Sequence, residues 1–321
     1  MNYKISVVMP VYNEQEYLRA SITSILKQSF KGFEFIIIND GSTDETEKII
    51  ESFSDPRIRF FKSEKKGIVK QLNYGITLAE TPIIARMDAD DVAESNRFEE
   101  QINYLDHHPE VHVVGSNVVL INEKGKVVSN KNYPRNQEDI EFMMPIESAV
   151  CHPAVMIRKE IFENFGFYTE SYNHAEDYEL FLNLLVAGCK FYNIQKVLLK
   201  YRAPVLRKNY KQNISLNQIS YTLGVNYLNN VRQKNLTENE NYNYYYRMAM
   251  IEYYKGSIKR SRGFFFNCLR ISIKHFFRIT RFLLISLLGE RIIKYLRKTK
   301  VLPLLSIYIN KFLKIDFHRI K

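Results

Sequence analysis

Three carboxylates, Asp88, Asp90 and Asp91, are packed into four residues directly after the mostly apolar stretch 82–87. Such a stretch is typical of a buried strand, and the carboxyl ends of strands are where parallel α/β sheets bind ligands. Asp88 and Asp90 are two residues apart, so in an extended chain their side chains lie on one face. Two hard oxygen ligands on one face suit Mg²⁺ or Mn²⁺, often shared with substrate phosphates. A solvated acidic turn has the same pattern, so other parts of the chain must decide.

The elements that must position these carboxylates alternate between strand and helix. Strand character is predicted for the stretches 5–10, 33–38, 58–62 and 82–87. Between them the apolar residues keep helical spacing. We expect Asn13 to cap the first helix, and Ser42 with Glu45 to form the capping box of a helix over 43–53. This alternation predicts a doubly wound, Rossmann-like sheet of mostly parallel strands.

The pattern loosens after the acidic residues, as expected where antiparallel strands are added to a parallel half. We predict strands over 111–121, 149–157 and 197–202, the second of which carries His152. Glu176 and Asp177 begin an amphipathic helix. Two further helices are predicted, over 209–230 and 240–254. The expected organisation is a catalytic domain over 1–205 and a helical region over 206–321.

Composition limits the class of protein. The 321 residues are 45% hydrophobic and 25% charged, so a sizeable core is possible. The three cysteines form no Cys-x-x-Cys pair, which favours a reducing compartment without disulfides or a zinc site. The N-terminal apolar run is too short for a signal peptide and is predicted to be the first strand.

The positive charge lies in the last fifth of the chain. Residues 255–321 carry 17 lysines and arginines and two acids, a net charge of +15, whereas residues 1–254 carry a net −4. Phenylalanine and leucine clusters lie between these charges, and the longest apolar run, 282–288, is far shorter than the ~20 residues that span a bilayer. This composition favours basic amphipathic helices in the lipid headgroup plane. The alternative is ordinary helix packing with a charged outer face. Clustered aromatics argue against nucleic-acid binding, which uses spaced stacking platforms.

A second acidic site follows the second predicted strand, at Asp40 in Asn39-Asp40-Gly41-Ser42. Because the carboxyl ends of parallel strands face one crevice, Asp40 and the acidic cluster should meet there. Asp40 would then accept a hydrogen bond from a base or ribose, and a metal at Asp90 would neutralise a diphosphate. A simple helix-entry turn is the alternative for Asp40 alone.

Four motifs in this order resemble those of family 2 glycosyltransferases. They are Ser-Val-Val-Met-Pro-Val-Tyr-Asn-Glu at 6–14, Asn-Asp-Gly-Ser-Thr-Asp at 39–44, Arg-Met-Asp-Ala-Asp-Asp at 86–91, and Glu-Asp at 176–177. The resemblance covers about 4–205. It implies the GT-A fold, a nucleotide-sugar donor, a divalent metal (Mn²⁺ or Mg²⁺) and inversion at the anomeric carbon.

The resemblance also implies roles for single residues. The positions that match nucleotide-sugar-binding residues are Pro10, Tyr12, Glu14, Asp40, Arg86 and Asp88. Asp90, with Asp88, matches the metal ligands. Asp177 matches the general base, and the like charge of Glu176 beside it would raise its pKa. His152 is expected either to line the acceptor pocket or to be a buried structural residue.

We therefore expect an inverting glycosyltransferase that is peripheral on the inner, cytoplasmic face of a bacterial membrane. The resemblance favours a UDP-sugar as donor, carrying a hexose or N-acetylhexosamine, although no residue selects UDP over GDP or dTDP. The acceptor would be a glycan or lipid-linked sugar of a surface polysaccharide. Residues 255–321 would contact the anionic membrane surface. One alternative is a nucleotidyltransferase, although Pro10-Val11-Tyr12-Asn13 is not the glycine-rich phosphate loop that such enzymes carry. The other is an inactive scaffold of the same fold, against which the intact Asp88, Asp90 and Asp177 argue.

Overall fold

The computed structural model describes residues 3–171, 175–203, 221–230, 237–255 and 257–271. Spatial contacts divide the chain into two compact units, residues 1–220 and 221–321. The domain boundary expected from the sequence at 205 stays a prediction.

The described part of the first unit contains one nine-stranded sheet with helices between its strands. The strands are β1 (Ile5–Val11), β2 (Phe33–Asp40), β3 (Ile58–Ser63), β4 (Ile83–Arg86), β5 (Val92–Ala93), β6 (Val113–Ile121), β7 (Val127–Lys131), β8 (Met156–Arg158) and β9 (Phe191–Arg202). The helices are α1 (Leu18–Leu26), α2 (Thr46–Glu51), α3 (Ile68–Leu78), α4 (Arg97–His107), α5 (Gln137–Met143), α6 (Glu160–Phe165) and α7 (Glu176–Val186), and His152–Ala154 forms one 3₁₀ turn.

The strand order is β3-β2-β1-β4-β8-β6-β9-β5, and β7 pairs in addition with the second half of β6, at Val118–Ile121. β1, β2, β3 and β4 are mutually parallel, and so are β6 and β9. Strands β8, β5 and β7 pair with their neighbours antiparallel. Val8 pairs with Ile36 on one side and with Arg86 on the other, so β1, β2 and β4 end at the same edge of the sheet. The predicted parallel half with added antiparallel strands is confirmed.

Helices cover both faces of this parallel half. Every residue of β1 and β2 is buried, as expected for parallel strands packed on two sides. Gly75 lets α3 lie close to the sheet, because an added Cβ would be 2.5 Å from a methyl group of Val8. All three cysteines are free and buried.

The predicted caps of the first two helices are wrong. Helix α1 begins only at Leu18, and α2 begins at Thr46, without a capping box. Asn13 and Ser42 bind each other's loops instead. The Asn13 backbone N–H donates to Ser42 Oγ (2.9 Å), and Asn13 Oδ1 accepts from the backbone N–H of Thr43 (2.8 Å). These side chains have the chemistry of helix caps, but the neighbouring loop supplies stronger partners.

The strand predicted over 149–157 is present only at Met156 and Ile157, which belong to β8, and the prediction is wrong for 149–155. His152, Pro153 and Ala154 form the 3₁₀ turn, and β8 begins only at Met156. Pro153 has no N–H to give to a sheet, so the apolar residues before it enter the core as a turn. The last strand is longer than expected, because β9 begins at Phe191 and pairs along the whole of β6.

In the second unit, residues 221–230 form α8, followed by α9 (Glu238–Lys255) and α10 (Ile258–Ile271). Ser261 Oγ donates to the Ala249 carbonyl (2.8 Å), and the rings of Tyr246 and Phe265 meet edge to face, so α9 packs on α10. The predicted helices are confirmed over these residues, whereas 209–220 and the basic stretch 272–321 lie outside the described part of the chain. Among the described helices, none combines the length and apolar character that crossing a bilayer requires.

Candidate active site

The acidic cluster at the end of β4 brings three carboxylates together. One ligand oxygen from each of Asp88, Asp90 and Asp91 lies within 4.8 Å of the others. The chain forms a turn at 89–90 and is not extended there. The convergence therefore comes from the turn, and not from the alternation of side chains along a strand that the sequence suggested.

Two arginines, Arg97 and Arg202, hold the backbone in and next to this turn. The backbone N–H of Arg202, the last residue of β9, donates to Asp91 Oδ1 (2.7 Å), and its Nε donates to the Asp90 carbonyl (2.8 Å). Arg97, at the start of α4, has no exposed surface and donates to the Arg86 carbonyl (2.8 Å). Both guanidinium groups bind backbone oxygens, so they fix the path of the chain and leave the carboxylate side chains available.

Arg86, the last residue of β4, forms an ion pair with Asp88. The arginine is buried and the aspartate half-buried. The charge of Asp88 raises the pKa of Arg86 against the effect of burial, so the guanidinium stays positive. The pair gives Asp88 a definite orientation at the edge of the sheet.

The remaining carboxylates are crowded with like charge. Burial and the charge of Asp88 raise the pKa of Asp90 to about 6. Burial, together with Asp88 and Asp90, raises the pKa of Asp91 well above its usual range. Burial and the same two charges raise the pKa of Glu14 to about 7, so Glu14 belongs to this cluster electrostatically.

These residues fit a divalent cation. Oxygen donors from three carboxylates converge, and the buried Oδ2 of Asp91 has no hydrogen-bond partner among the described residues. A hard cation prefers such oxygens and would relieve their mutual repulsion. Asp88 and Asp90 were expected as ligands from the sequence, and the structure adds Asp91 to the candidates.

The predicted nucleotide-binding residues lie at the ends of β1 and β2. Pro10 is buried within β1, opposite Ile38, and Tyr12 follows the strand with 38% of its surface exposed. The Lys65 ammonium lies 3.7 Å from the centre of the Tyr12 ring. A ring at the surface can stack on a nucleotide base, and the ammonium group beside it can attract phosphate.

Asp40 makes contacts that the sequence did not reveal. Its Oδ1 accepts from the backbone N–H of Lys66 (2.7 Å), and its Oδ2 accepts from that of Gly67 (2.9 Å). Gln71 Nε2 also donates to Oδ1 (2.5 Å). Asp40 therefore ties the end of β2 to the start of α3. Oδ1 already accepts two hydrogen bonds and Oδ2 accepts one, so a lone pair is left on Oδ2, and the role of Asp40 toward a base stays a prediction.

A cavity of about 380 Å³ joins the acidic cluster to the predicted base. It is lined by Arg86, Asp88, Leu120, Lys131, Tyr133, Ser148, Val150, Cys151, His152, Pro153, Glu176, Asp177, Tyr201 and Ala203. Five predicted site residues are thus together, although Asp88 and Asp177 are 89 positions apart in the sequence.

Asp177 lies in the first turn of α7, as expected from the sequence. Burial, and then the charge of Glu176, raise its pKa to about 6. A carboxylate with this pKa is ionised at neutral pH and is a stronger base than an ordinary aspartate. His152 lies beside it, with Nδ1 4.0 Å from Asp177 Oδ2.

Sequence reasoning missed Arg97 and Tyr168, gave Arg202 no role, and did not count Asp91 of the cluster among the metal ligands. The Tyr168 hydroxyl lies 2.7 Å from His152 Nε2. Asp91 could have been found from its position in the cluster. The other three act through contacts with distant parts of the chain, for which local sequence carries no signal.

Comparison with known proteins agrees with this geometry. Residues 6–166 match the family described as "Glycosyl transferase family 2". The O-antigen biosynthesis glycosyltransferase WbnJ of Escherichia coli is 34% identical over 203 residues, which are 62% of this chain and 79% of WbnJ.

Two groups of solved structures share the fold at low sequence identity. S. aureus TarS (residues 1–349) in complex with UDP-GlcNAc has a TM-score of 0.60 at 16% identity, over 84% of this chain and 82% of that one. The mannosyltransferase PcManGT of Pyrobaculum calidifontis, in complex with GDP-Man and Mn²⁺, has a TM-score of 0.56 at 14% identity, over 86% and 75%. The expected resemblance and fold class are both confirmed: the chain is a glycosyltransferase of family 2, with the GT-A fold.

Proposed function

We propose that this enzyme transfers a hexose or N-acetylhexosamine, with inversion, from a nucleoside-diphosphate sugar to a hydroxyl of a glycan or lipid-linked acceptor. The observation that carries the proposal is the shared cavity, in which Asp88 of the acidic cluster and Asp177 of α7 are both lining residues. A carboxylate pair at the donor side and a basic carboxylate at the acceptor side are the two parts that inverting transfer needs.

Asp177 is the general base in this proposal. The acceptor oxygen forms a bond to the anomeric carbon as the bond from that carbon to the phosphate oxygen breaks, and Asp177 takes the proton of the acceptor hydroxyl. Its pKa of about 6 supports this role, because the group is ionised at neutral pH and still accepts a proton readily.

The donor side is assigned to residues at the ends of β1, β2 and β4. Tyr12 stacks on the base, with Pro10 and Asp40 beside it. Arg86 keeps Asp88 oriented toward the ribose through their ion pair. Asp90 and Asp88, with Asp91, would hold Mn²⁺ or Mg²⁺, which neutralises charge on the diphosphate when bound.

A UDP-sugar is the donor we propose, and the TarS complex with UDP-GlcNAc supports it at the level of the fold. We propose that the acceptor is part of a growing surface polysaccharide, and the relative named for O-antigen biosynthesis supports this. The enzyme is placed on the inner face of the cell membrane through residues 255–321, whose net charge of +15 supports contact with anionic lipid.

The test is nucleotide release from a panel of UDP-, GDP- and dTDP-sugars, with Mn²⁺, Mg²⁺ or EDTA. We expect one UDP-sugar to be hydrolysed slowly in the presence of metal. Asp177→Asn separates donor binding from sugar transfer. This variant should bind that donor with unchanged affinity and fail to transfer the sugar to an acceptor, because the base touches the acceptor and not the donor. Release from no donor in the panel, or a collapse of donor affinity in Asp177→Asn, would contradict the proposal.

A further inference from the structure

A buried imidazole lies directly behind the proposed base. His152 begins the 3₁₀ turn before β8 and has 7% of its surface exposed. Its Nε2 lies 2.7 Å from the Tyr168 hydroxyl, and its Nδ1 lies 4.0 Å from Asp177 Oδ2. The three side chains therefore form a row that ends at the carboxylate.

The row is anchored to helix α3, which packs on the parallel half of the sheet. Asn73 of α3 binds the backbone of Tyr168 at both groups: its Nδ2 donates to the Tyr168 carbonyl (2.9 Å), and its Oδ1 accepts from the Tyr168 N–H (3.1 Å). The Tyr168 ring is buried against Phe162, and the His152 ring meets Phe181 edge to face. Neither ring can turn without disturbing these contacts, so both hydrogen-bonding atoms of the imidazole have fixed directions.

The charge state of the row follows from its surroundings. Burial, and then the positive charge of Arg86, lower the pKa of His152 well below its usual range, so the ring is neutral and carries one N–H. Burial raises the pKa of Tyr168, so the phenol keeps its proton. Two arrangements remain. Either Tyr168 donates to Nε2 and the ring proton is on Nδ1, facing Asp177, or Nε2 donates to Tyr168 and the Nδ1 lone pair faces the carboxylate.

The first arrangement is favoured by electrostatics, because the second opposes a nitrogen lone pair to a negative oxygen. We propose that Tyr168 and His152 are positioning residues for Asp177: the Tyr168 hydroxyl donates to Nε2 and holds the imidazole in place, and the Nδ1–H orients the Asp177 carboxylate toward the acceptor. The separation of 4.0 Å becomes a hydrogen bond if the groups approach by about 1 Å. Catalytic hydrogen bonds commonly tighten in this way when substrate binds.

This assignment rests on the proposed role of Asp177 as the base, so the first experiment does not depend on activity. The full-length protein is labelled with ¹⁵N-histidine, and the ring nitrogens are observed by NMR at neutral pH, with the His152 signals identified by their loss in His152→Asn. We expect a neutral ring protonated at Nδ1, and in Tyr168→Phe a changed Nε2 resonance, because the hydrogen bond between the phenol and Nε2 is lost. A wild-type ring protonated at Nε2, or an Nε2 resonance that Tyr168→Phe leaves unchanged, would overturn the proposal.

The second experiment measures kcat and KM for nucleotide release from the donor that the panel identifies. Tyr168→Phe should lower kcat about tenfold or more, with donor KM unchanged, as expected for a group that orients a catalytic one. His152→Asn places an amide N–H near the position of Nδ1 and should retain most activity. His152→Gln places its amide near Nε2 instead and should lose as much as Tyr168→Phe.

Two further comparisons separate positioning from folding. Tyr168→Phe added to His152→Asn should cause no additional loss, because the asparagine N–H no longer depends on the tyrosine. Tyr178→Phe is the matched control, since it also removes a buried phenol hydroxyl. Tyr178 lies on α7, and its hydroxyl has no hydrogen-bond partner among the described residues. Additive losses, or equal losses in His152→Asn and His152→Gln, would identify a merely structural pair. If Asp177→Asn keeps full transfer, the base assignment fails while the tautomer result still stands.

Discussion

Crowded carboxylates at the end of β4 are costly unless a cation accompanies them. The pKa of Asp90 is raised to about 6 and that of Glu14 to about 7, and each shift is caused by burial together with neighbouring negative charge. A group whose pKa is raised on folding disfavours the folded state once pH exceeds that pKa. The cluster is therefore strained at neutral pH, and binding of a divalent ion should be linked to stability.

Replacement of Asp90 tests this linkage. Asp90→Asn should lose at least ~100-fold of metal-dependent nucleotide release, because one hard oxygen ligand is removed. Its melting temperature without metal should be equal to or above that of wild type, since one repulsive charge is gone. Mn²⁺ should raise the melting temperature of wild type but not of the variant.

Asp106→Asn is the control for this variant, because Asp106 is an exposed carboxylate paired only with Lys4 in an ion pair of small value. It should keep both the activity and the response to Mn²⁺. Full activity of the wild-type enzyme in EDTA would exclude the metal assignment.

The acidic limb of the curve of kcat against pH should report the protonation of Asp177. Its pKa of about 6 means that the base is protonated, and inactive, at lower pH, so kcat should fall as pH drops through about 6. Glu176 is the second cause of the raised pKa after burial. Glu176→Gln should therefore lower the pKa of Asp177 and shift the acidic limb to lower pH. The measurement is kcat against pH at saturating Mn²⁺, where the metal suppresses protonation of Asp90.

Glu179→Gln, in the same helix, is the control for charge removal and should leave the limb in place. If the acidic limb does not move in Glu176→Gln, the limb reports another group. Glu14 is then the first candidate, because its pKa is about 7.

The sequence identified the reactive carboxylates but not the side chains that hold them. Asp88, Asp90 and Asp177 could be found because each lies in a short motif with a definite place in an element. Arg202 binds the carbonyl of Asp90 across 112 residues, and nothing near Arg202 in the sequence indicates that contact. The role of Tyr168 depends likewise on a bond to His152, which was expected in a strand and lies in a turn.

At the scale of elements, β6 and β9 each contribute a lining residue to the cavity, Leu120 and Tyr201. Asn193 of β9 is fully buried, and its Nδ2 donates to the carbonyls of Pro134 (2.6 Å) and Ala149 (2.9 Å). These two bonds hold the segments that contribute Tyr133 and Ser148 to the cavity. Gly115 of β6 leaves the space for this amide, because an added Cβ would lie 2.2 Å from Asn193 Oδ1.

Gly115→Ala should therefore destabilise the enzyme by about 2–4 kcal/mol, from overpacking and from buried carbonyls that lose their donor. Thermal or chemical denaturation measures the loss. Val128→Ala, at an exposed position of β7, is the control and should change stability by less than about 0.5 kcal/mol. An unchanged melting temperature in Gly115→Ala would mean that Asn193 can move at little cost.

Element type could be predicted where the apolar pattern is clear, as in β1 and α3, and the prediction failed where tertiary partners compete. Ser42 and Glu45 have the spacing of a capping box, but the loop after β1 takes the Ser42 hydroxyl through Asn13. The apolar run before Met156 has strand composition, but Pro153 cannot donate to a ladder. In both places local chemistry permits two structures, and the neighbouring element selects one.

At the scale of the whole molecule, charge is divided between the catalytic part and the tail. Residues 1–254 carry a net −4, which an anionic leaflet repels, and residues 255–321 carry a net +15. Helices α9 and α10 pack together, so a cut at the end of α9 would expose the apolar face that α10 covers. Truncation after Ile271, the last residue of α10, keeps this packing and is therefore the better way to separate catalysis from the proposed membrane binding.

A chain that ends at Ile271 lacks 12 lysines and arginines and two acids, a net charge of +10. Each basic residue near an anionic surface contributes about 1 kcal/mol, so engagement of even a third of them should hold the full-length enzyme on vesicles. We expect it to co-sediment with phosphatidylserine-containing vesicles at low salt and to be released at high salt, because salt shortens the Debye length. The shortened chain should stay in the supernatant and retain slow nucleotide release. Phosphatidylcholine vesicles are the control and should bind neither protein. Equal sedimentation of both chains would show that residues 272–321 do not carry membrane binding, and the proposed localisation would be wrong.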